Sequence, residues 1–141
     1  GTSNDFWTGE GTALGGNPTN NNCSSNVVIQ DGVNNPNLSL YVWYCANNFI
    51  ETTKEVAKKE PNGFGLYDMH GNVLEWTSDY FDSSFPADVS DPWNGVSNTS
   101  FVMRSGNYYF TPSNIGASFR SSYAPESRFS DYGFRLVRTI Q

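Results

Sequence analysis

Thiol and imidazole side chains, which often carry out chemistry at an active site, are few in this sequence. The chain has two cysteines, Cys23 and Cys45, and one histidine, His70. Because a C-x-x-C spacing is absent and only one histidine is available, no zinc site is predicted. The two cysteines either form a disulfide, which would stabilise a small loop-rich domain, or remain as buried thiols.

The single histidine has acidic neighbours but no evident nucleophile. Asp68 and Glu75 could orient the His70 imidazole, but no cysteine lies beside it in the sequence. A serine nucleophile would have to come from an unidentified loop. We therefore interpret His70 as an exposed side chain in a loop turn and predict no catalytic role for it.

Residues 107–132 combine tyrosine and phenylalanine with serine, and the aromatic residues come in clusters. Tyrosine gives a large, rigid contact area at low entropic cost, and serine gives adaptable hydrogen bonding, as in evolved binding surfaces. Without alternation to hide one face, most of these aromatics should be exposed, and Phe119 should be the most buried. The solvent-facing patch predicted to bind a ligand, called here the binding patch, consists of Tyr108, Tyr109, Phe110, Thr111, Ser121, Ser122, Tyr123, Phe129, Ser130 and Tyr132.

Composition excludes two classes of partner. The formal net charge is −6 and all five arginines lie at or beyond Arg104, so no basic stripe exists and nucleic acid is not expected as a partner. No run of 18 apolar residues occurs, which argues against membrane insertion. The length of 141 residues suits a single domain spanning residues 1–141, which we interpret as the C-terminal part of a longer protein.

Short strands separated by turn-rich stretches must position these side chains. Strands are predicted at residues 27–29, 73–80, 102–104 and 134–140. Within 73–80, Leu74, Trp76 and Tyr80 fall on one face and polar side chains on the other, as in a half-buried strand. In the last predicted strand, Phe134 and Leu136 share a face with Ile140.

Two further segments precede these strands. Residues 38–44 form an apolar, aromatic run that should be buried. Residues 51–60 contain good helix formers and predict a short helix that ends at Pro61.

Three motifs carry a resemblance to a known family. Residues 61–76 read PNGFGLYDMHGNVLEW, which is similar to the P-N-x-x-G-L-Y-D-M-x-G-N-V-W-E-W signature of formylglycine-generating enzymes, also called sulfatase-modifying factors. Residues 102–107, VMRSGN, resemble the R-V-x-R-G-G-S strand of that family, and residues 133–137, GFRLV, match its closing motif. Residues 41–59 resemble the W-Y-x-x-N…V-x-x-K stretch upstream.

The resemblance implies an α+β, C-type-lectin-like fold of the formylglycine-generating-enzyme type, loop-rich and with small antiparallel sheets. It also implies a more extended chain at residues 51–60 than helix propensity suggests. The enzymes of the family use two cysteines located a few residues beyond the R-G-G-S strand. Residues 107–115 of this chain contain no cysteine, and a thiolate is both the nucleophile and the soft metal ligand such chemistry needs. No catalytic residue and no copper are therefore expected.

A structural calcium is implied by the same resemblance, because the first motif holds one in the enzymes. The carry-over assigns Asp68 and Glu75 as side-chain ligands and Gly71 and Val73 as carbonyl ligands. Alternatively, the two carboxylates cap backbone amides or pair with an arginine such as Arg135.

A narrower resemblance links the chain to the variable proteins of diversity-generating retroelements, which use this fold and end in the same G-F-R-L-V pattern. Their templates read roughly R-G-G-S-W-N-N-N…R-N-N-N-N-P-D-N-R-N-N-N-x-G-F-R, and adenine mutagenesis converts the Asn codons into others. Lys, Gln, Met and Trp, which that route does not produce, are absent from residues 107–132. Glu126 departs from the pattern, because the template has Asp there.

The sequence therefore predicts a non-catalytic receptor domain with a hypervariable loop surface that binds a protein or surface ligand. A surface-exposed or virion-associated location is favoured. The alternatives are a degenerate or accessory oxidoreductase domain of the formylglycine-generating-enzyme family, and a purely structural module.

Overall fold

The computed structural model describes residues 6–9, 12–14, 23, 38–48, 50, 52–83 and 98–137. The strands are β1 (Phe6–Gly9), β2 (Thr12–Leu14), β3 (Leu74–Tyr80), β4 (Phe101–Arg104), β5 (Ser121–Tyr123) and β6 (Tyr132–Gly133). Two 3-10 helical turns, Leu38–Leu40 and Pro112–Asn114, are the helical elements in the described part of the chain. None of these helices has the length and apolar character needed to cross a bilayer. The strand predicted at residues 27–29 lies outside the described residues.

The strands form two sheets. β1 and β2 pair as an antiparallel hairpin, and the other four strands form a sheet in the order β5-β4-β3-β6. The β3–β4 and β4–β5 pairs are antiparallel, whereas β3 and β6 run parallel. The edge strands β5 and β6 are the parts of the sheet that belong to the tyrosine- and serine-rich region, so this region is anchored at both edges.

The predicted strands at 73–80 and 102–104 are confirmed. Leu74 is fully buried, and Trp76 lies opposite Met103, which is also fully buried. The register shifts between Trp76 and Tyr80, so β3 bulges before Tyr80 stacks on Phe101 with ring centroids 4.5 Å apart. Leu74, Val102 and Met103 thus fix β3 and β4 in the interior, and the two adjacent buried residues of β4 point to opposite faces of the sheet.

A second packed region surrounds the run predicted to be buried at residues 38–44. Leu38, Val42 and Tyr44 are at most 1% exposed and pack with Ala46 and Ile115. Ile115 belongs to the loop after β4. Its burial therefore attaches that loop to this core. The prediction of a buried run is confirmed.

A disulfide joins Cys23 to Cys45, with the two Cα atoms 5.1 Å apart. This decides between the two alternatives for the cysteines. The bond closes a loop across a sequence separation of 22 residues. In the chain-entropy account, such a loop stabilises the fold by about 3 kcal/mol.

The helix predicted from propensity at residues 51–60 is wrong over 52–60, where the chain is irregular with a turn at 56–57. The Asn72 side chain binds both backbone groups of Lys54, accepting from its N–H at 2.9 Å and donating to its carbonyl at 3.1 Å. Ala57 has a left-handed φ of 56° and donates its N–H to Asp68 at 2.7 Å. Tertiary hydrogen bonds thus use the groups that a helix would need, and they override propensity.

The strand predicted at 134–140 is also wrong where the chain is described. The ladder with β3 ends at Gly133, and Phe134 and Leu136 are 73% and 88% exposed. Arg135 directs the segment toward the carbonyls of Tyr67 and Asp68, to which it donates at 3.0 and 2.7 Å, and away from a ladder along β3. Residues 138–140 lie outside the described part.

Candidate binding surface

The loop after β4 is fastened to the glycine turn that precedes β3. Gly71 donates its N–H to the Ser105 carbonyl at 2.8 Å, and the Ser105 hydroxyl donates back to the Gly71 carbonyl at 3.2 Å. The next residue, Asn72, donates its N–H to the Trp43 carbonyl and accepts from the Tyr108 N–H at 3.0 Å. The start of the tyrosine-rich region is therefore fixed to the Gly71–Asn72 turn, and this turn is itself fixed to Trp43.

A buried pair of side chains joins this loop to the turn before β6. The Asn107 amide donates to the Asp131 carboxylate at 2.7 Å, and the two residues are 0% and 5% exposed. The Asp131 carbonyl in turn accepts from the Leu74 N–H at 2.8 Å, which ties the turn to β3. Neither residue was singled out by sequence reasoning. The available signal was that Asp131 is the one acidic residue close to the closing G-F-R-L-V motif.

Aromatic side chains from three separate stretches gather around Asp131 and Tyr132. The Tyr109 hydroxyl donates to the same carboxylate oxygen at 3.1 Å. The Tyr132 ring lies 4.8 Å from that of Tyr123 and 5.0 Å from that of Phe129, measured between centroids. Residues 109, 123 and 129–132 are thereby brought together, as the binding-patch prediction requires.

The phenols of Tyr109 and Tyr132 stay uncharged at neutral pH. Desolvation, together with the hydrogen bond to Asp131, raises the pKa of Tyr109. Desolvation, a hydrogen bond with Tyr123 and the Asp131 charge raise the pKa of Tyr132. Both hydroxyls therefore keep their protons and can donate hydrogen bonds.

The aromatic row continues away from Asp131. The Tyr109 ring is 5.2 Å from Phe110, and Phe110 is 5.6 Å from Phe119. Phe110 also packs against the core around Ile115 and is only partly exposed. Phe119 is half-buried as well, so it is not the single most buried aromatic of the region.

Exposure differs among the ten residues of the predicted binding patch. Tyr109 and Phe129 are 46% and 61% exposed, and Ser130 is also exposed. Half-buried members are Phe110, Thr111, Ser121, Ser122, Tyr123 and Tyr132.

Two members do not fit a single solvent-facing patch. Tyr108 is 7% exposed, because its backbone is bonded to Asn72 and its side chain is drawn into the interior. Ser122 pairs with Val102 between Ser121 and Tyr123 on β5, so strand alternation directs it to the opposite face of the sheet from these two. We keep the name binding surface for the eight remaining residues.

Two arginines hold loops around this region. Arg104 donates to the carbonyls of Ala117 and Phe119, the latter at 2.6 Å, and so shapes the loop that leads into β5. Arg135 makes a two-pronged ion pair with Glu75, with N···O distances of 2.9 and 2.7 Å.

Three of the four residues predicted to bind calcium have protein partners. Glu75 pairs with Arg135, Asp68 accepts from Ala57, and the Gly71 carbonyl accepts from Ser105. A guanidinium beside Glu75 disfavours a second cation there, so the described contacts match the capping and ion-pair alternative and fit calcium poorly. In the described part of the chain, no three His, Cys, Asp or Glu side chains gather as metal ligands. Calcium at Asp68, Gly71, Val73 and Glu75 stays a prediction, which thermal unfolding with calcium and with a chelator tests.

His70 is half-buried, so its interpretation as an exposed loop side chain is wrong. Its Nδ1 lies 2.9 Å from the Ile115 carbonyl and donates to it. Burial lowers the pKa of His70 to about 4, so the ring is neutral at pH 7. It lines a cavity of about 680 Å³ with Met69, Trp76 and Arg135, which no residue of the binding surface reaches.

The comparison with known families decides the assignment. The family described as the sulfatase-modifying factor enzyme 1-like domain matches residues 7–140. The chain belongs to this family. Its curated relatives include the formylglycine-generating enzyme of Streptomyces coelicolor, 35% identical over 91 residues that cover 61% of this chain and 29% of the enzyme. Another is the serine/threonine-protein kinase pkn1 of Chlamydia pneumoniae, 33% identical over 102 residues, which are 67% of this chain and 16% of the kinase.

Solved structures of similar proteins agree with the predicted fold class. Treponema denticola variable protein 1 superposes with a TM-score of 0.63 at 35% identity, over 69% of this chain and 35% of that one. PvdO from Pseudomonas aeruginosa superposes with a TM-score of 0.60 at 30% identity, over 69% of this chain and 38% of PvdO. The family and the loop-rich C-type-lectin-like fold are therefore confirmed. This chain spans less than a third of the two curated relatives and less than two fifths of these solved chains.

In this member of the sulfatase-modifying factor family, the region beyond β4 carries no thiol. Asn107 and Tyr108, near the start of this region, are buried. The chain has two cysteines in all, and they are bonded to each other as Cys23–Cys45.

Proposed function

We propose that this domain is a non-catalytic receptor that binds a protein or surface ligand through the binding surface. The observation that carries the proposal is the convergence of three separate stretches of the chain, in which Tyr109 binds Asp131 while Tyr123 and Phe129 pack against the adjacent Tyr132. Sequence adjacency does not bring these stretches together. The fold gathers them.

The chemistry of this surface suits contact with another macromolecule. Tyrosine is enriched among the residues that dominate protein interfaces, because it combines a large apolar ring with a hydroxyl. The exposed rings of Tyr109 and Phe129 offer apolar area, and uncharged phenols and serine hydroxyls at the surface offer hydrogen bonds. Such a mixture favours a partially polar protein surface over a small apolar ligand.

Variability is the second part of the proposal. The residues of the binding surface all belong to the set that adenine mutagenesis of Asn codons can reach, and the fold is similar to that of Treponema denticola variable protein 1. The binding surface is supported by the four-stranded sheet and by the core around Tyr44 and Ile115, against which Phe110 packs. Varying exposed side chains would change specificity while leaving that support intact. A receptor of this kind would act at a cell or virion surface.

Absence of catalysis is supported by the cysteines. Thiol-based oxidation needs a thiolate within the site; residues 107–132 contain no cysteine, and the two cysteines of the chain, in one disulfide, precede β3. We expect no conversion of cysteine to formylglycine when the domain is incubated with copper, reductant and a cysteine peptide of the sulfatase type. The measurement is the mass of the peptide, with an active formylglycine-generating enzyme as positive control.

A double variant makes the assay interpretable. Cys23→Ser combined with Cys45→Ser leaves the chain without a thiol, so its signal measures oxidation of the peptide by copper and dissolved oxygen alone. Turnover by the unmodified domain above that background would contradict the proposal of a non-catalytic receptor.

A further inference from the structure

We propose that position 131 is restricted to Asp or Asn, and that the run of variable positions therefore ends at residue 130, with Tyr132, at the template position x, an unvaried member of the binding surface. The inference rests on the proposed function and defines its specificity-determining positions. Residue 131 lies within the segment that the retroelement template would diversify, because the template places Asn two residues before the closing Gly-Phe-Arg. Mutagenesis alone would vary it as freely as its neighbours.

One carboxylate oxygen of Asp131 accepts two hydrogen bonds. The Asn107 amide donates at 2.7 Å and the Tyr109 hydroxyl at 3.1 Å. Asn107 is fully buried, so a residue that could not accept its amide proton would leave a buried donor without a partner. That loss destabilises the fold, because the donor has given up its bond to water.

Few of the residues that mutagenesis of an Asn codon reaches satisfy both donors. Asparagine offers a carbonyl oxygen at the place of the Asp131 oxygen, and this reproduces both contacts. Alanine, glycine and the aliphatic residues offer no acceptor. Serine and threonine are one atom shorter, and tyrosine and phenylalanine are too large for a side chain that is 5% exposed beside Tyr109.

The two preceding positions face different constraints. Phe129 and Ser130 are exposed, and the Phe129 backbone carbonyl accepts from the Tyr132 N–H at 3.2 Å, a bond that any side chain at 129 permits. The backbone turn therefore holds positions 129–132 in place while the side chains at 129 and 130 remain replaceable. A border between variable and fixed positions follows, and it falls between residues 130 and 131.

The test uses three libraries of the whole chain displayed on yeast, each with one codon fully randomised, at 129, 130 or 131. Cells are sorted for resistance to protease, which reports folding and requires no ligand. At position 131, Asp and Asn should be retained and all other residues depleted by about tenfold or more, as expected for a buried unpaired donor. At positions 129 and 130, most residues should be retained.

A swap variant tests whether the Asn107–Asp131 hydrogen bond itself is needed, or only a polar side chain at each position. Combining Asn107→Asp with Asp131→Asn reverses donor and acceptor and keeps the contact, so it should recover protease resistance that Asn107→Ala loses. Alanine, serine or tyrosine tolerated at 131 as well as at 130, or a swap no better than Asn107→Ala, would overturn the inference. Neither outcome bears on ligand binding. Failure of the proposed function is detected separately, as absence of variation at exposed positions in natural copies of the gene.

Discussion

Replacing Gly71 by alanine is expected to destabilise the domain by about 3 kcal/mol or more, because the added Cβ meets fixed backbone. The Cβ would lie 2.1 Å from the Trp43 carbonyl oxygen and 2.6 Å from Val42 Cγ1. Gly71 also has a φ of +73°, which costs a non-glycine residue energy even in open space. The contacts around Gly71 join the buried 38–44 run to the loop after β4. Disrupting them should therefore destabilise the loop that carries part of the binding surface.

Gly65 provides a matched control for this prediction. It has a φ of +75°, yet an added Cβ would find nothing within 4 Å. Gly65→Ala should therefore cost only the backbone strain, about 1 kcal/mol. Thermal and urea unfolding measure both variants. Equal losses for Gly65→Ala and Gly71→Ala would contradict the close packing at Gly71.

The second large effect is expected at Tyr108, the member of the predicted binding patch that the fold buries. Tyr108→Ala should lower the free energy of unfolding by about 3 kcal/mol or more, because it empties a well-packed site of a large ring. The residue is 7% exposed, and its ring packs edge-on against Tyr109 at 5.3 Å. Urea unfolding checks the value.

Phe129→Ala is the control for Tyr108→Ala. Phe129 is 61% exposed, so its truncation should change stability by no more than about 0.5 kcal/mol, as at ordinary surface sites. Together the two variants distinguish aromatic residues that stabilise the fold from those that only form its surface. A loss at Phe129 as large as that at Tyr108 would show that both rings belong to the core.

Sequence patterns predicted β3 well, because its apolar and polar side chains alternate as in a half-buried strand. The strand at 102–104 was also predicted, although Val102 and Met103 are both buried and do not alternate. Sequence patterns failed at residues 52–60, where helix propensity is a local property and the Asn72 side chain competes for the Lys54 backbone from 18 residues away. They failed at 134–137 for a related reason. Apolar alternation predicted a strand, but the Arg135 contacts set the direction of the chain.

The candidate site was predicted in composition but not in detail. Clustering of tyrosine and serine identified the region, and three of its stretches do converge. Burial of Tyr108 and the opposite direction of Ser122 depend on the Asn72 contact and on the register of β5, which no local pattern contains. Asp131 and Asn107 were missed because their role exists only when residues 24 apart in sequence meet.

The measurement that tests the central claim most directly is the sequence of this gene in many cells of its source population. If the domain is a diversified receptor, amino-acid changes should concentrate at codons for the members of the binding surface before residue 131, such as Tyr109, Tyr123, Phe129 and Ser130. Codons for the buried residues Tyr108 and Ile115 should be constant. A gene without variation, or with changes spread evenly over buried and exposed positions, would contradict the account of this surface as a variable ligand-binding site.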